Sequence, residues 1–412
     1  MIASPLWRNR DYMLLWGGQV VSTLGSSALS VVYPLLILAL TDSAAAAGVA
    51  SGLRALPYLL FSLPVGALID RWDRKRVMIL CDCGRALAAL SIPVALWLDA
   101  LTIGQIYVVA FVEGSLFVFF NIAEVAAMPR LVPTRQLPQA AAQNEAAFGA
   151  AHIVGPSLGT LVYQTLGRSA AFLFDAFSYV VSAVSLLLIR TEFRAARAEA
   201  PRDLRREIRE GLRWLWGKPL IRYMAFLTGG MNLVGAATPL IVIVLAKELG
   251  ASDIDIGVIF SIGGIGGIAG SLIGGQIQKR FSFGQVVIAV SWALALLFPL
   301  YALAPGFAVL GLVYALIYMT GPIYNVVQFS YRLALIPDAL QGRVNSTFRL
   351  LAFGFIPLGA AASGLLLERI GVMATIGVFA ALYLALAVMT TFNAHVRGAR
   401  PLEDIAADRN AT

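Results

Sequence analysis

The chain is poor in charge. Of its 412 residues only 13% are Asp, Glu, Lys or Arg, against 59% hydrophobic residues, and mean hydropathy is +0.80. A water-soluble domain of this length needs far more charge to cover its surface, so the composition excludes that class and indicates a polytopic membrane protein. Cysteine and histidine are almost missing. Cys81 and Cys83 are the only cysteines, His152 and His395 the only histidines. They supply neither a disulfide framework nor a zinc site. No nucleophile–base constellation and no phosphate-loop lysine is present, which argues against an enzyme and against ATP as the energy source. No cofactor and no metal is expected.

What is present is long apolar runs. A spanning helix needs about 20 mostly apolar residues. Such runs fall at Tyr12–Leu40, Ala44–Ile69, Val77–Leu98, Ile103–Ala127, Gln139–Leu166 and Ser169–Ile189. In the second half they fall at Leu220–Ala246, Ile254–Ile277, Phe283–Ala304, Gly306–Ala334, Val344–Ile370 and Val372–Val396. The expected fold is an all-α membrane protein of about twelve transmembrane helices. The expected organisation is an N-terminal bundle over 1–190, an amphipathic linker over 191–219, a C-terminal bundle over 220–396 and a tail over 397–412.

The Lys and Arg residues sort by side. With the N-terminus inside, Arg8, Arg10, Arg71–Arg76, Arg130, Arg135, Lys279, Arg280, Arg343 and the C-terminal arginines are cytoplasmic. The Arg190–Arg222 segment joins them, and only Arg168, Lys247 and Arg369 are left outside. The positive-inside rule then puts both termini in the cytoplasm of a plasma or inner membrane. The net charge of +8 belongs to these loops, which meet anionic lipid, and no nucleic-acid partner is implied.

The halves repeat. Ala147-Phe148-Gly149 and Gly159 match Ala352-Phe353-Gly354 and Gly364, and Leu131-Val132-Pro133 matches Leu335-Ile336-Pro337 at nearly the same offset. The repeat predicts two pseudo-symmetric six-helix bundles related by an axis along the membrane normal.

Between the second and third runs the chain reads Gly66-Ala-Leu-Ile-Asp70-Arg71-Trp-Asp-Arg74-Lys75-Arg. Gly66, Asp70, Arg71, Arg74 and Lys75 resemble the loop signature of the major facilitator superfamily. Met128-Pro129-Arg130-Leu131-Val132-Pro133, Gly155-Pro156-Ser157-Leu158-Gly159, Phe174-Asp175-Ala176-Phe177-Ser178 and Gln341-Gly342-Arg343-Val344 resemble its drug, macrolide and enterobactin exporters. The resemblance implies secondary transport and the major facilitator fold. It also implies a cytoplasmic gate in which Asp70 and Arg74 act with Glu124, Arg85 and Arg349. Gly155, Pro156 and Gly159 resemble an antiporter motif on the fifth helix, although Ala147 and Ala151 stand where its upstream glycines would be. Glu113 and Glu124 stand where many relatives carry a basic residue.

Charges at mid-helix are expensive and therefore informative. Arg54 and Glu113 both lie about ten residues from the outer ends of their helices, roughly 15 Å deep, which suggests a pair. Glu113, Arg54, His152, Asp175 and Glu145 are the candidates for proton coupling. Polar and aromatic residues that could line a substrate cavity are Gln19, Ser26, Phe117, Phe120, Asn121, Asn232, Tyr314, Tyr318, Asn325 and Gln328, and Thr23, Ser30 and Tyr33 share the first helix's polar stripe. A large apolar pocket with few polar handles suits an amphipathic compound. The expected function is a proton-linked, monomeric exporter of a drug, a macrolide-like antibiotic or a siderophore. A lipid or lysophospholipid transporter and a non-transporting sensor with the same fold are the alternatives. The orientation has a direct test: in a background lacking the native cysteines, a cysteine at Thr41 should react with an impermeant maleimide from outside and one at Asp338 only from inside.

Overall fold

A computed structural model describes residues 6–69, 71–193, 204–337 and 340–400. Fourteen helices and three short 3-10 turns make up the described chain, with no strand among the described residues. The first half gives α1 (Arg10–Thr41), α2 (Ala44–Ile69), α3 (Arg74–Trp97), α4 (Ile103–Leu131), α5 (Leu137–Leu166) and α6 (Arg168–Leu188). The second gives α7 (Leu204–Trp216), α8 (Pro219–Glu248), α9 (Asp253–Arg280), α10 (Phe283–Leu297), α11 (Phe307–Leu335), α12 (Gln341–Phe353), α13 (Ile356–Phe392) and α14 (Ala394–Arg397). In hydrocarbon every backbone polar group must be satisfied internally, so apolar runs of this length have little choice but helix.

Among the described residues, eleven helical segments are long and apolar enough to cross a membrane. The last of them, Gln341–Phe392, holds two of the twelve expected runs, which meet at Gly371. Gly371 leaves helical geometry at φ 76° with no polar linker beside it, and so divides Val344–Ile370 from Val372–Val396 where the sequence places their boundary. Gly167, at φ 93°, stands before α6 in the same way. Upstream, α12 and α13 are separated at Gly354 and Phe355, so the run expected as one helix is broken there. The ninth run ends in a 3-10 turn, Phe298–Leu303, whose second residue is Pro299, and the missing N–H there cannot extend α10.

Helix ends are set by polar side chains. Asn9 accepts from the Tyr12 amide at 3.1 Å and donates from Nδ2 to the Leu131 carbonyl at 2.7 Å, which ties the start of α1 to the end of α4. Asp73 caps α3 by accepting from the amides of Lys75 and Arg76. Capping boxes open α9 at Ser252 and Asp255, and α10 at Ser282 and Gln285. Large apolar side chains such as Leu80, Leu87, Leu187, Leu272 and Leu303 are exposed, as a lipid-facing surface requires.

The chain divides into two compact units: Met1–Pro201 with Ile256–Ser261, and Arg202–Asp255 with Ile262–Thr412. Within the first, α1 packs on α5 and α6, α2 on α4, and α3 on α4 and α6. Within the second, α8 packs on α13, α10 on α11 and α13, and α12 on α7 and α8. Glycine permits the closest crossings. A Cβ added at Gly159 of α5 would sit 2.3 Å from the Ala28 carbonyl oxygen of α1, and one at Gly155 would sit 2.5 Å from the Ser27 side chain. Gly159→Val should therefore destabilise the protein by about 1–3 kcal/mol through overpacking. Gly66→Ala should not, since a Cβ there meets nothing within 4 Å. Apparent melting temperatures of the two purified variants check the contrast.

Candidate functional site: a buried charge cluster in the first unit

Two backbones touch where the site begins. A Cβ at Gly114 of α4 would lie 2.1 Å from the Arg54 carbonyl oxygen of α2, so only glycine lets the helices meet at this level. The residue before it, Glu113, is thereby brought to Arg54, with 3.9 Å between Oε2 and Nε. The Glu113 side chain is 1% exposed and that of Arg54 28%. This is a long contact. Both Glu113 oxygens lack a hydrogen-bond donor among the described residues, so the pair attracts without being locked. The Arg54 guanidinium also lies 5.7 Å from the centre of the Tyr33 ring on α1.

Arg85 of α3 is the second cation of the cluster. Its Nη2 donates to the Tyr179 hydroxyl of α6 at 2.7 Å and to Ser26 Oγ of α1 at 3.3 Å. Its Nη1 stands 3.8 Å from Asp82 one turn away, and its guanidinium covers the Tyr179 ring at 4.0 Å. Ser26 and Tyr179 are themselves 3.0 Å apart. Asp175 is fully buried; its Oδ1 accepts from Ser178 at 3.4 Å, and it lies within electrostatic reach of Glu113, Arg85 and Arg54. Gln19 donates to Ser182 at 3.1 Å on the same α1–α6 face. Five helices thus converge on one polar core.

The structure sorts the sequence candidates. It brings Arg54, Glu113, Asp175, Gln19 and Ser26 together, with Phe117 on the rim, its ring 5.7 Å from Arg85. Arg85, assigned to a gate on sequence, makes its described contacts inside this core. Tyr179 was missed. The helical spacing of Asp175, Ser178, Tyr179 and Ser182 was the available signal. His152 is exposed and its Nδ1 faces the Phe148 carbonyl of its own helix at 2.9 Å; Glu145 is also exposed. Phe120 is buried and Asn121 half-buried.

Asp70 lies outside the described residues. Around it, Gly66 is half-buried, Arg71 exposed and Glu124 buried. Arg74 donates to the Ala126 carbonyl at 2.9 Å, and Lys75 to the Ile189 carbonyl at 2.6 Å. These basic residues neutralise exposed carbonyls at the ends of α4 and α6, where cations are favoured. Arg349 belongs to the second unit, with its guanidinium 5.9 Å from the Phe353 ring. Asn232, Tyr314, Tyr318, Asn325 and Gln328 also belong there. Asn232 donates to the Ala352 carbonyl at 2.8 Å, Tyr314 and Gln328 are buried, and Tyr318 and Asn325 are exposed. In the antiporter-like segment, Pro156 sits within α5 and Thr160 donates to its carbonyl at 3.0 Å.

Residues 15–346 match the Major Facilitator Superfamily. The chain belongs to that superfamily of transporters. It is 26% identical over 374 residues to macrolide efflux protein A of Streptococcus pyogenes, covering 89% of this chain and 91% of that protein. It is 28% identical over 390 residues to the multidrug efflux pump Tap of Mycolicibacterium fortuitum, covering 90% and 93%. Among solved structures it resembles nucleoside transporter NupG, with TM-score 0.75 at 15% identity over 92% of this chain and 98% of that one. A bacterial homologue of the iron transporter ferroportin gives TM-score 0.69 at 16% identity over 94% and 99%. The fold is therefore that of a multi-pass major facilitator transporter.

A charge pair of this kind has a measurable signature. Removing one member of a buried pair leaves the other uncompensated, which costs 3–5 kcal/mol when both are dry. Because Arg54 keeps some exposure, Glu113→Gln or Arg54→Gln alone should cost about 2–3 kcal/mol. The double variant should recover most of that loss. Denaturant unfolding of the four proteins in detergent, read as a double-mutant cycle, checks the coupling.

Proposed function

We propose that this chain is a proton-linked exporter of amphipathic organic compounds, working by alternating access. The observation that carries the reading is the Arg54–Glu113 pair: a nearly inaccessible carboxylate held at 3.9 Å by a partly open cation, with no hydrogen bond to fasten it. Such a pair can open. When Arg54 swings away, or a cationic group of the substrate takes its place, the Glu113 carboxyl loses its counter-charge and takes up a proton. When the proton leaves, the pair re-forms. Asp175 and Arg85 belong to the same buried core, and Tyr179 and Ser26 hold Arg85 in position.

Export, and a drug or macrolide-like cargo, are supported by the efflux relatives across about nine-tenths of the chain. The few polar handles among apolar and aromatic walls suit a bulky compound with one charged or hydrogen-bonding end. The basic loops favour cytoplasmic termini. In that orientation the Asp70 to Lys75 loop, with Glu124, forms the cytoplasmic gate, and Glu113 exchanges its proton with the opposite side.

The test is transport in proteoliposomes under an imposed pH gradient, with antibiotics, siderophores and lysolipids as cargo. Wild-type protein should concentrate at least one of them and dissipate the gradient as it does so. Glu113→Gln should keep cargo binding, lose accumulation by at least tenfold, and show a flattened pH profile. Full accumulation by Glu113→Gln with an unchanged profile would remove Glu113 from the coupling role.

A further inference from the structure

The linker helix α7 has one face docked on α12 and another that is exposed and basic. One face of α7 is spent on the second unit. Leu215 is fully buried, and a Cβ at Gly211 would lie 2.6 Å from both the Arg343 carbonyl oxygen and Thr347 Oγ1 of α12. Glu210, the acid beside it, is paired with Arg343. The opposite face keeps its charge. Arg209 and Arg213, one turn apart, are both exposed. The helix ends in an aromatic and cationic corner. Trp216 is 51% exposed, with the Arg222 guanidinium 5.8 Å from its ring, and Lys218 lies 5.9 Å from the Trp214 ring.

We propose that this face of α7 binds the headgroups of anionic phospholipids, with Trp216 seated at the bilayer interface and Arg209 and Arg213 on lipid phosphates. Charge complementarity selects the partner: Glu210 on the docked face is paired within the protein, while Arg209 and Arg213, among the described residues of the helix, stand exposed on the other. Its position selects a membrane rather than a soluble anion. α7 runs directly into α8 through Lys218, so its C-terminal end lies where a spanning helix enters the bilayer, the level at which Trp and Arg are favoured. Because Gly211 and the Glu210–Arg343 pair clasp α7 to α12, lipid charge acts on the first turns of α12. The proposal does not depend on what the protein carries.

Thermal unfolding of the full-length protein in a neutral detergent, with short-chain phosphatidylglycerol, phosphatidylcholine or inorganic phosphate added, provides the test. Phosphatidylglycerol should raise the unfolding temperature of wild type by about 3–6 °C. Phosphatidylcholine and phosphate should not, and high salt should abolish the gain. R209Q/R213Q should melt like wild type without lipid and lose the phosphatidylglycerol response. Equal responses to the two lipids, a response to phosphate matching that to phosphatidylglycerol, or an undiminished response in R209Q/R213Q would each overturn the assignment. Should R209Q/R213Q express poorly, R213Q alone provides the comparison, and its phosphatidylglycerol response should fall to about half or less of wild type; an undiminished response there overturns the assignment equally.

Discussion

A charged side chain at the centre of a spanning helix costs at least about 2.5–3.5 kcal/mol, and the first unit places six ionisable residues of its bundle in or against its core. Arg54, Asp82, Arg85, Glu113, Glu124 and Asp175 stand among helices otherwise packed by alanine, leucine and phenylalanine. Their mutual attraction in a poorly screened interior offsets the cost only if the helices come close enough. That need explains the crossings. Gly114 against Arg54, and Gly25 against Ser178 and Asp175, are contacts that a single methyl group would forbid. Close backbone approach and charge pairing are one arrangement here, since each glycine sits beside or against a member of the cluster.

The two halves share a fold but not this chemistry. Gly167 and Gly371 both stand at positive φ before a final helix. Counting on from them, Asp175 corresponds to Phe379 and Tyr179 to Tyr383, both buried. By the offset that relates Leu131 to Leu335, Glu113 corresponds to Ile317, buried as well. In the second unit Tyr383 packs edge to face on Phe298, which packs in the same way on Tyr301. Among its described residues the one fully buried charge is Arg332, stacked 3.9 Å from the Phe348 ring. The buried charge cluster thus belongs to the first unit, and an aromatic core occupies the second.

Much of the architecture was legible in the chain because its signals are local. Apolar runs set the helices, since hydrocarbon leaves the backbone no other way to satisfy its polar groups. The depth of Arg54 and Glu113 followed from counting residues along two helices, and opposite sign at equal depth pointed to a pair. The last two spans were separated at Gly371, where the chain leaves helical geometry. The break at Gly354 and Phe355 was not legible, because it interrupts an apolar stretch without a change of composition.

The sequence by itself determined that this is a membrane-spanning helical protein, where its charges lie along each helix, and which family its loops resemble. Tertiary structure alone decided who meets whom. Arg85 lies on α3 near a basic loop, and a linear reading groups it with that loop; the crossing of α3 with α6 instead delivers it to Tyr179 at 2.7 Å. Tyr179 drew no notice as one of four aromatics in an apolar helix, yet it joins α1, α3 and α6. The physical reason is common to both. Depth along a helix is a one-dimensional property that sequence carries. Azimuth and the partner across the groove depend on how ridges of small residues let particular helices approach.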